Sequence, residues 1–416
     1  MSTLPPLSVV IASHNRRDVL LGTLDRLRDG RLGVPGCEII VVDNASTDGT
    51  VRALAARSDV HVIALDRNLG ACAKGIGVAD ARAPLLLFLD DDSYPRAGCV
   101  PRMIERFACD PRLAAAGFTV HLSDGSQECS AMPHVHVGCG VGLRKSAVQE
   151  SGGVDLSFFM AAEEYDLTFR LLRAGWRAEI FADLQVEHLK SPVGRRSERI
   201  TFYDIRNNLR VLARYVPDGP AGIYAADWIE RYRWMAEVAG HRDAFEQGLI
   251  VGQRLAASER ERFWRLRFDE RQFEAVFRWG EIERRSWAVA QGGARRVVLA
   301  DLSKNVHAFV RGALRAGLEI LAIADDALSG GGRAGDGLRG DVRRYRGIPV
   351  LKCADALALA PDVVVVSNTS YVHAQRRSQW LRGVTKRPVL NWFAPPSLQT
   401  TDALGAPQCG VAVPAA

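Results

Sequence analysis

No run in this 416-residue chain reaches the ~18 consecutive apolar residues that a membrane-spanning helix needs, which excludes such a span. The eight cysteines form no CxxC pair. In a chain of this size that argues against a disulfide framework and for reduced thiols. Cys129, His134, His136 and Cys139 come nearest to a zinc set, but their spacing matches no common zinc frame, and on an extended strand Cys139 faces away from the two histidines. The opening MSTLPPLSVVIASHNRR has neither a charged lead nor a small-residue cleavage site, so it reads as a first strand and not a signal peptide. Also missing is any basic tract interleaved with aromatics. The net charge of +6 therefore suits an anionic substrate or a membrane surface, and no nucleic-acid partner is expected. The expected location is the cytoplasm, with at most peripheral contact at the inner face of the cell membrane.

What is present is apolar: 47% of residues are hydrophobic, enough for two domains. The most informative stretch is PLLLFLDDDSYP, from Pro84 to Pro95. An apolar run from Leu85 to Leu89 ends abruptly in Asp90, Asp91 and Asp92, as a buried central strand does when it emerges into a cleft. Three adjacent carboxylates repel one another, and a divalent cation with oxygen ligands is the simplest means of keeping all three ionised.

Strands at Leu7 to Ala12, Glu38 to Val42, Val60 to Leu65 and Leu85 to Leu89 alternate with helices at Val19 to Arg28, Val51 to Arg57 and Ala71 to Ala79. That rhythm predicts a doubly wound, mostly parallel α/β sheet whose ligands sit at the carboxyl ends of the strands. Polar clusters fall there four times. Ser13, His14 and Asn15 follow the first strand, and Asp43, Asn44, Ser46 and Asp48 the second. Arg67, Asn68 and Gly70 follow the third, and Asp90 to Asp92 the fourth. Each cluster alone is ordinary turn chemistry; four on one edge make a site. Asp43 suits a base imide or ribose hydroxyl, and Lys74 and Arg67 suit phosphate.

The ordered motifs VVIASHNRRDVL, VVDNASTDGT, RNLGACAKGIGVADA and LLLFLDDDSYPRAG resemble the donor half of inverting family-two glycosyltransferases with the GT-A fold, most closely the bacterial rhamnosyltransferase-like branch. GCGVGLRKSAV, GGVDLSFFMAAEEYDLTFRLLRAGWR and VEHLKSP are similar to that family's acceptor half, and YDIRNNL to its following helix. Together these cover roughly the first 255 residues. The resemblance implies a nucleoside-diphosphate sugar donor, and a saccharide or lipid-linked acceptor in cell-surface polysaccharide or glycoconjugate assembly. It places the donor on Ser13, Asn15, Asp43, Asn44, Arg67, Asn68, Gly70, Lys74, Asp90 and Asp91. It places Mg²⁺ or Mn²⁺ on Asp92 and His188; acceptor contacts are expected at His136, or its neighbour His134, and at Gly140 and Asp166. Glu163 and Glu164 stand where the family has a Glu-Asp pair, so Glu164, a methylene longer than the matched Asp, is the expected base, with Glu163 second. Arg195, Arg196 and Arg199 just beyond His188 suit a lid over the diphosphate.

From Gly222 to Ala290 the pattern is helical and carries five tryptophans, Trp228, Trp234, Trp264, Trp279 and Trp287. It suits a connector packing aromatics between domains, or helices resting on a membrane. From Arg295 the α/β rhythm restarts and resembles small Rossmann-like nucleotide- or sugar-binding domains. After its first strand, however, the chain reads ADLSKN where a dinucleotide fingerprint needs glycines, which speaks against NAD. The expected organisation is a glycosyltransferase domain at 1–222, a helical connector at 223–292, a smaller Rossmann-like domain at 293–394 and a tail at 395–416. Two rival functions are a sugar nucleotidyltransferase and a catalytically silent carbohydrate- or nucleotide-binding protein.

Overall fold

The computed structural model describes residues 4–190, 197–329 and 342–393. Arg195, Arg196, the glycine-rich loop at 330–341 and the tail lie outside them.

The amino-terminal part is built on a nine-stranded sheet. Its first four strands are β1 (Ser8–Ser13), β2 (Glu38–Asp43), β3 (His61–Ala64) and β4 (Leu85–Asp90). All pair in parallel, in the spatial order β3, β2, β1, β4. Past β4 the sheet is mixed. β5 (Ser93–Pro95), β6 (Leu113–Leu122), β7 (Gln127–Glu128), β8 (Gly140–Arg144) and β9 (Arg177–His188) extend it in the order β8, β6, β9, β5, with β7 paired to β6. β8 runs antiparallel to both β4 and β6, whereas β6 and β9 are parallel. The expected parallel rhythm therefore holds only as far as β4.

Burial on both faces explains the near-continuous apolar runs of the central strands. Val9, Ile11, Val41, Leu87 and Leu89 pack with residues of α1 (Arg17–Arg26) and α4 (Cys99–Cys109), while Val10, Ile40, Val42, Leu86 and Phe88 pack on the other side. That second side is covered by α3 (Lys74–Asp80), α5 (Lys145–Glu150) and α6 (Glu163–Arg173), with the short α2 (Thr50–Leu54) between β2 and β3.

Five helices follow: α7 (Glu198–Tyr215), α8 (Asp218–Ala239), α9 (Arg242–Arg262), α10 (Glu270–Phe277) and α11 (Trp279–Gln291). α7 and α9 lie close because Gly248 and Gly252 carry no side chain; a Cβ at either would meet the α7 backbone at Phe202 or Arg206. Trp228 and Trp234 are buried and Trp279 packs on the same aromatic cluster as Trp228, while Trp264 and Trp287 are exposed. No helix among the described residues is long and apolar enough to cross a membrane.

A second sheet is formed by β10 (Arg296–Ala300), β11 (Glu319–Ala324), β12 (Arg344–Tyr345), β13 (Ile348–Leu351), β14 (Val363–Val366) and β15 (Val389–Leu390). Its order, β12-β13-β11-β10-β14-β15, is parallel apart from the β12–β13 hairpin, and α12 (Val306–Arg315), α13 (Cys353–Ala358) and α14 (Tyr371–Val384) connect the strands. The loop after β10, which lacks the fingerprint glycines, is fastened to the helices instead. Tyr224 Oη donates to Asn305 Oδ1 at 2.6 Å, Trp228 Nε1 to the Lys304 carbonyl at 2.8 Å, and Arg231 Nε to the Leu302 carbonyl at 2.9 Å.

Candidate functional site

The carboxyl ends of β1, β2 and β4 adjoin one another because the three strands pair in register, with Ser13 opposite Asp43 and Ala12 opposite Asp90. Asp43 is buried. Its Oδ2 accepts the Ser46 backbone N–H at 2.9 Å, whereas Oδ1 has no partner. Asn44 fixes the neighbouring loop, donating to the Gly70 carbonyl at 3.1 Å and accepting from the Leu69 N–H at 3.0 Å. Asn68 Oδ1 caps the Gly70 N–H at 2.7 Å. Asn15, at φ +52°, accepts from the Thr47 N–H at 2.7 Å. Arg67 is exposed at the edge of this group. These contacts make Asn15, Asn44 and Asn68 builders of the loops, and they leave an Asp43 oxygen open to a ligand.

The three aspartates have separate surroundings. Asp91 points inward: Ser13 Oγ donates to its Oδ2 at 2.7 Å and Arg16 Nη1 pairs with its Oδ1 at 2.8 Å. Burial raises its pKa to about 6, with Asp92 and Asp90 adding to the shift, against the opposing pull of Arg16 and Ser13. Asp92 is also buried, but the fork of Arg16 (Nη2 to Oδ2, 2.7 Å) and His188 (Nε2 to Oδ1, 3.0 Å) outweighs desolvation and brings it to about 2. The His188 approach lacks hydrogen-bond alignment, so Asp92 Oδ1 is a buried oxygen without a bonded partner. Asp90 is the most open of the three; Lys74 Nζ bonds its Oδ1 and the Gly138 carbonyl, and its Oδ2 lies 3.9 Å from His188 Nε2. Arg16, one of the two arginines in ASHNRR, thus orients two of the three carboxylates, and nothing in its sequence position separated it from Arg17.

Asp90, Cys139 and His188 offer ligand atoms within 4.8 Å of one another. Burial pushes the Cys139 thiol up and keeps it protonated, a poor ligand for a hard cation. Asp90 Oδ2 and His188 Nε2 remain, with Asp92 Oδ1 3.0 Å from that nitrogen. Burial of the imidazole is outweighed by the pull of Asp92, which raises it to about 12, so Mn²⁺ or Mg²⁺ fits these residues only by displacing the His188 proton.

α6 begins with Glu163 and Glu164, and Lys74, bonded to Asp90, also feels the Glu163 carboxyl. The segment leading into it is contorted, with Phe159, Ala161 and Ala162 at φ between +63° and +68°, a region costly for residues with a Cβ. Asn207 on α7 holds it there, its amide donating to the carbonyls of Phe158, Met160 and Ala161 at 2.8–2.9 Å. The segment also lies directly on Gly70, at φ +66°, where a Cβ would run into the Phe159 carbonyl. Gly70 is therefore a glycine of close approach. Burial, reinforced by Glu164, raises the Glu163 carboxyl far above its usual range, and Lys74 opposes this only in part. Burial also raises Glu164, which accepts a hydrogen bond from Glu163 and feels the charge of Lys304. Burial thus favours the neutral form of Glu163 more strongly than that of Glu164, and Glu163 Oε2 is buried without a hydrogen-bond partner.

Three expected acceptor residues are internal. Asp166 is buried and fully engaged: Arg214 Nη1 and Tyr215 Oη meet its Oδ1, both at 2.7 Å, and Arg170 meets its Oδ2 at 2.8 Å. Gly140 packs in the sheet, where a Cβ would strike Val186 at 2.7 Å. His136 is buried beside Thr168, 3.3 Å from its Oγ1, and burial lowers its pKa to about 3. All three look like site residues by type, yet the sheet and α6 enclose them.

Residues 8–153 match the model of Glycosyl transferase family 2. The chain carries a family-two glycosyltransferase domain. That match spans β1 to β4, the three aspartates and β8, and stops short of Glu163 and His188. Among solved structures, mannosyltransferase PcManGT from Pyrobaculum calidifontis, in complex with GDP-Man and Mn²⁺, is similar over 62% of this chain and 76% of its own, at 17% identity and a TM-score of 0.41. A likeness that loose transfers no residue roles to the glycosyltransferase domain. No curated protein matches the chain.

Proposed function

We propose that this protein is a metal-dependent, inverting glycosyltransferase that moves a sugar from a nucleoside-diphosphate donor to a hydroxyl of a saccharide or lipid-linked acceptor, in the manner of the rhamnosyltransferase-like branch. The observation that carries the reading is a set of buried polar atoms without hydrogen-bond partners, Asp43 Oδ1 and Asp92 Oδ1 at one sheet edge of the matched domain and Glu163 Oε2 at the start of α6. Buried polar atoms are ordinarily satisfied, and this group matches what a base, a cation and an acceptor hydroxyl would each supply.

In this reading Asp43 Oδ1 accepts from the nucleotide base, and Lys74, bonded to Asp90, sets that carboxylate toward the donor. Asp90, Asp92 and His188 would hold Mg²⁺ or Mn²⁺, which supplies charge stabilisation for the departing diphosphate. Glu164, ionised while Glu163 keeps its proton, takes the proton of the acceptor hydroxyl as that oxygen attacks the anomeric carbon from the face opposite the leaving group. Arg16 keeps Asp91 and Asp92 ordered. Asn207 fixes the approach to Glu163.

Release of nucleoside diphosphate from a panel of UDP-, GDP- and dTDP-sugars tests the proposal, with the product anomer read by NMR. The expected result is Mn²⁺-dependent turnover with inversion, reduced about 10²–10⁴-fold in Glu164→Gln. Turnover that releases pyrophosphate from a nucleoside triphosphate would instead support a nucleotidyltransferase, and absence of turnover with every donor would support a binding protein.

A further inference from the structure

A cavity of about 440 Å³ lies beyond the carboxyl edge of the second sheet, walled by α8, by the start of α14 and by Ala131 of the amino-terminal part. It opens where β10 is flanked by β11 on one side and β14 on the other, the position at which connections diverge and open α/β sheets receive ligands. Its volume is in the range of small-molecule sites.

Most acceptors in its lining are already engaged. Asp325 accepts the backbone N–H groups of Leu302, Ala327 and Leu328 at 3.0–3.1 Å. Asp301 Oδ2 accepts from Asn368 at 3.2 Å, and its Oδ1 lies 3.0 Å from Arg377 Nε. Among the donors Arg377 is held by Asp301, Asp326 and the Ala324 carbonyl, whereas Arg231 and Arg376 are less committed. Arg376 lines the cavity, is exposed, and has no hydrogen-bond or ion-pair partner among the described residues. Arg231 binds the Leu302 carbonyl through Nε, and its Nη1 meets only the Met235 sulfur at 3.0 Å. Lys304 Nζ donates to Asn208 Oδ1 at 2.7 Å and lies 4.3 Å from the centre of the Tyr165 ring. Trp380, 48% exposed, stands in the lining.

We infer that this cavity binds a phosphate group carried on a ring, as in a sugar phosphate or a nucleotide, with Arg231 and Arg376 on the phosphate and the ring against Trp380. Guanidinium forks from two elements favour a tetrahedral oxyanion, and an indole face suits either a sugar ring or a base. None of Asp90, Asp92, Glu163, Glu164 and His188 is in its lining, and the inference stands whether or not the glycosyltransferase reading does.

The test is calorimetric titration of the full chain in EDTA with glucose 1-phosphate, uridine and guanosine monophosphates, glucose and glucuronate. A phosphorylated ligand is expected to bind wild type and Asp90→Ala alike, and to bind Arg376→Glu and Trp380→Ala about tenfold or more weakly. Both of the latter positions are exposed, and urea unfolding of each variant checks that it is folded. Preference for the sugar phosphate or for a nucleotide identifies the ring. The inference is overturned if no phosphorylated ligand binds wild type, if binding survives both cavity variants, if Asp90→Ala abolishes it, or if glucuronate binds better than every phosphate.

Discussion

Among the described residues no guanidinium pairs with Glu163 or Glu164 as Arg16 does with Asp91 and Asp92, and burial dominates their ionisation. Both are raised above the usual 4.5 by burial. A base must be ionised to act, so transfer should rise with pH through the first ionisation of the pair and be lost as pH falls through it. The acid limb of kcat against pH is therefore expected to have its midpoint above 4.5, and a midpoint at or below that value would remove the pair from the mechanism. Residue types pointed correctly to the sheet edge, since Ser13, Asp43 and Asp90 do gather there. They could not separate the more open Asp90 from Asp91, which faces Ser13 and Arg16. Burial is a property of the packed sheet and has no local signature in DDD.

At the scale of elements, Asp166 belongs to a lattice of charges joining α6, α7 and α9. Arg214 binds Asp155, Asp166 and Glu259, and Arg210 shares Glu259, all at 2.7–2.8 Å and largely away from solvent. Removing one member leaves its partners buried and unpaired. Arg214→Leu is accordingly expected to destabilise the protein by roughly 3–5 kcal/mol in urea unfolding, and a loss under about 1 kcal/mol would show the lattice to be dispensable. The parallel strands β1 to β4 were legible because two buried faces force continuous apolar runs. β6 and β8 were not: LAAAGFTVHL and GVGLR are interrupted by Ala and Gly, whose small volume admits neighbours such as Val186 and Met103 but blurs any periodicity. The strand, helix, strand rhythm of β10, β11, β13 and β14 was readable for the same reason as β1 to β4.

At the scale of the whole molecule, the two sheets are joined through α8 and the loop after β10. Lys304 sits in that junction, caged by Tyr165, Trp228 and Tyr232 at 4.3–5.6 Å. Burial lowers its pKa from 10.5 to about 7, with Asp204 opposing. The folded chain thus releases this proton at lower pH than the unfolded chain, so this residue's contribution to stability grows as pH rises from about 7 toward 10.5. Unfolding of wild type and Lys304→Met compared at neutral and alkaline pH should show wild type gaining relative to the variant. A constant difference would mean that Lys304 is charged in the folded state throughout. Sequence placed ADLSKN after a strand and excluded a glycine fingerprint, but only the fold shows that the loop is a docking face for Tyr224, Trp228 and Arg231.

The edge of the first sheet is the proposed donor site, and calorimetry of UDP, GDP and dTDP with and without Mn²⁺, on wild type and Asp92→Ala, probes it without requiring the acceptor. One diphosphate should bind wild type only when Mn²⁺ is present, and Asp92→Ala should abolish that binding. Binding indifferent to both Mn²⁺ and Asp92→Ala, or no binding of any diphosphate, would rule out a metal-dependent donor site at this edge.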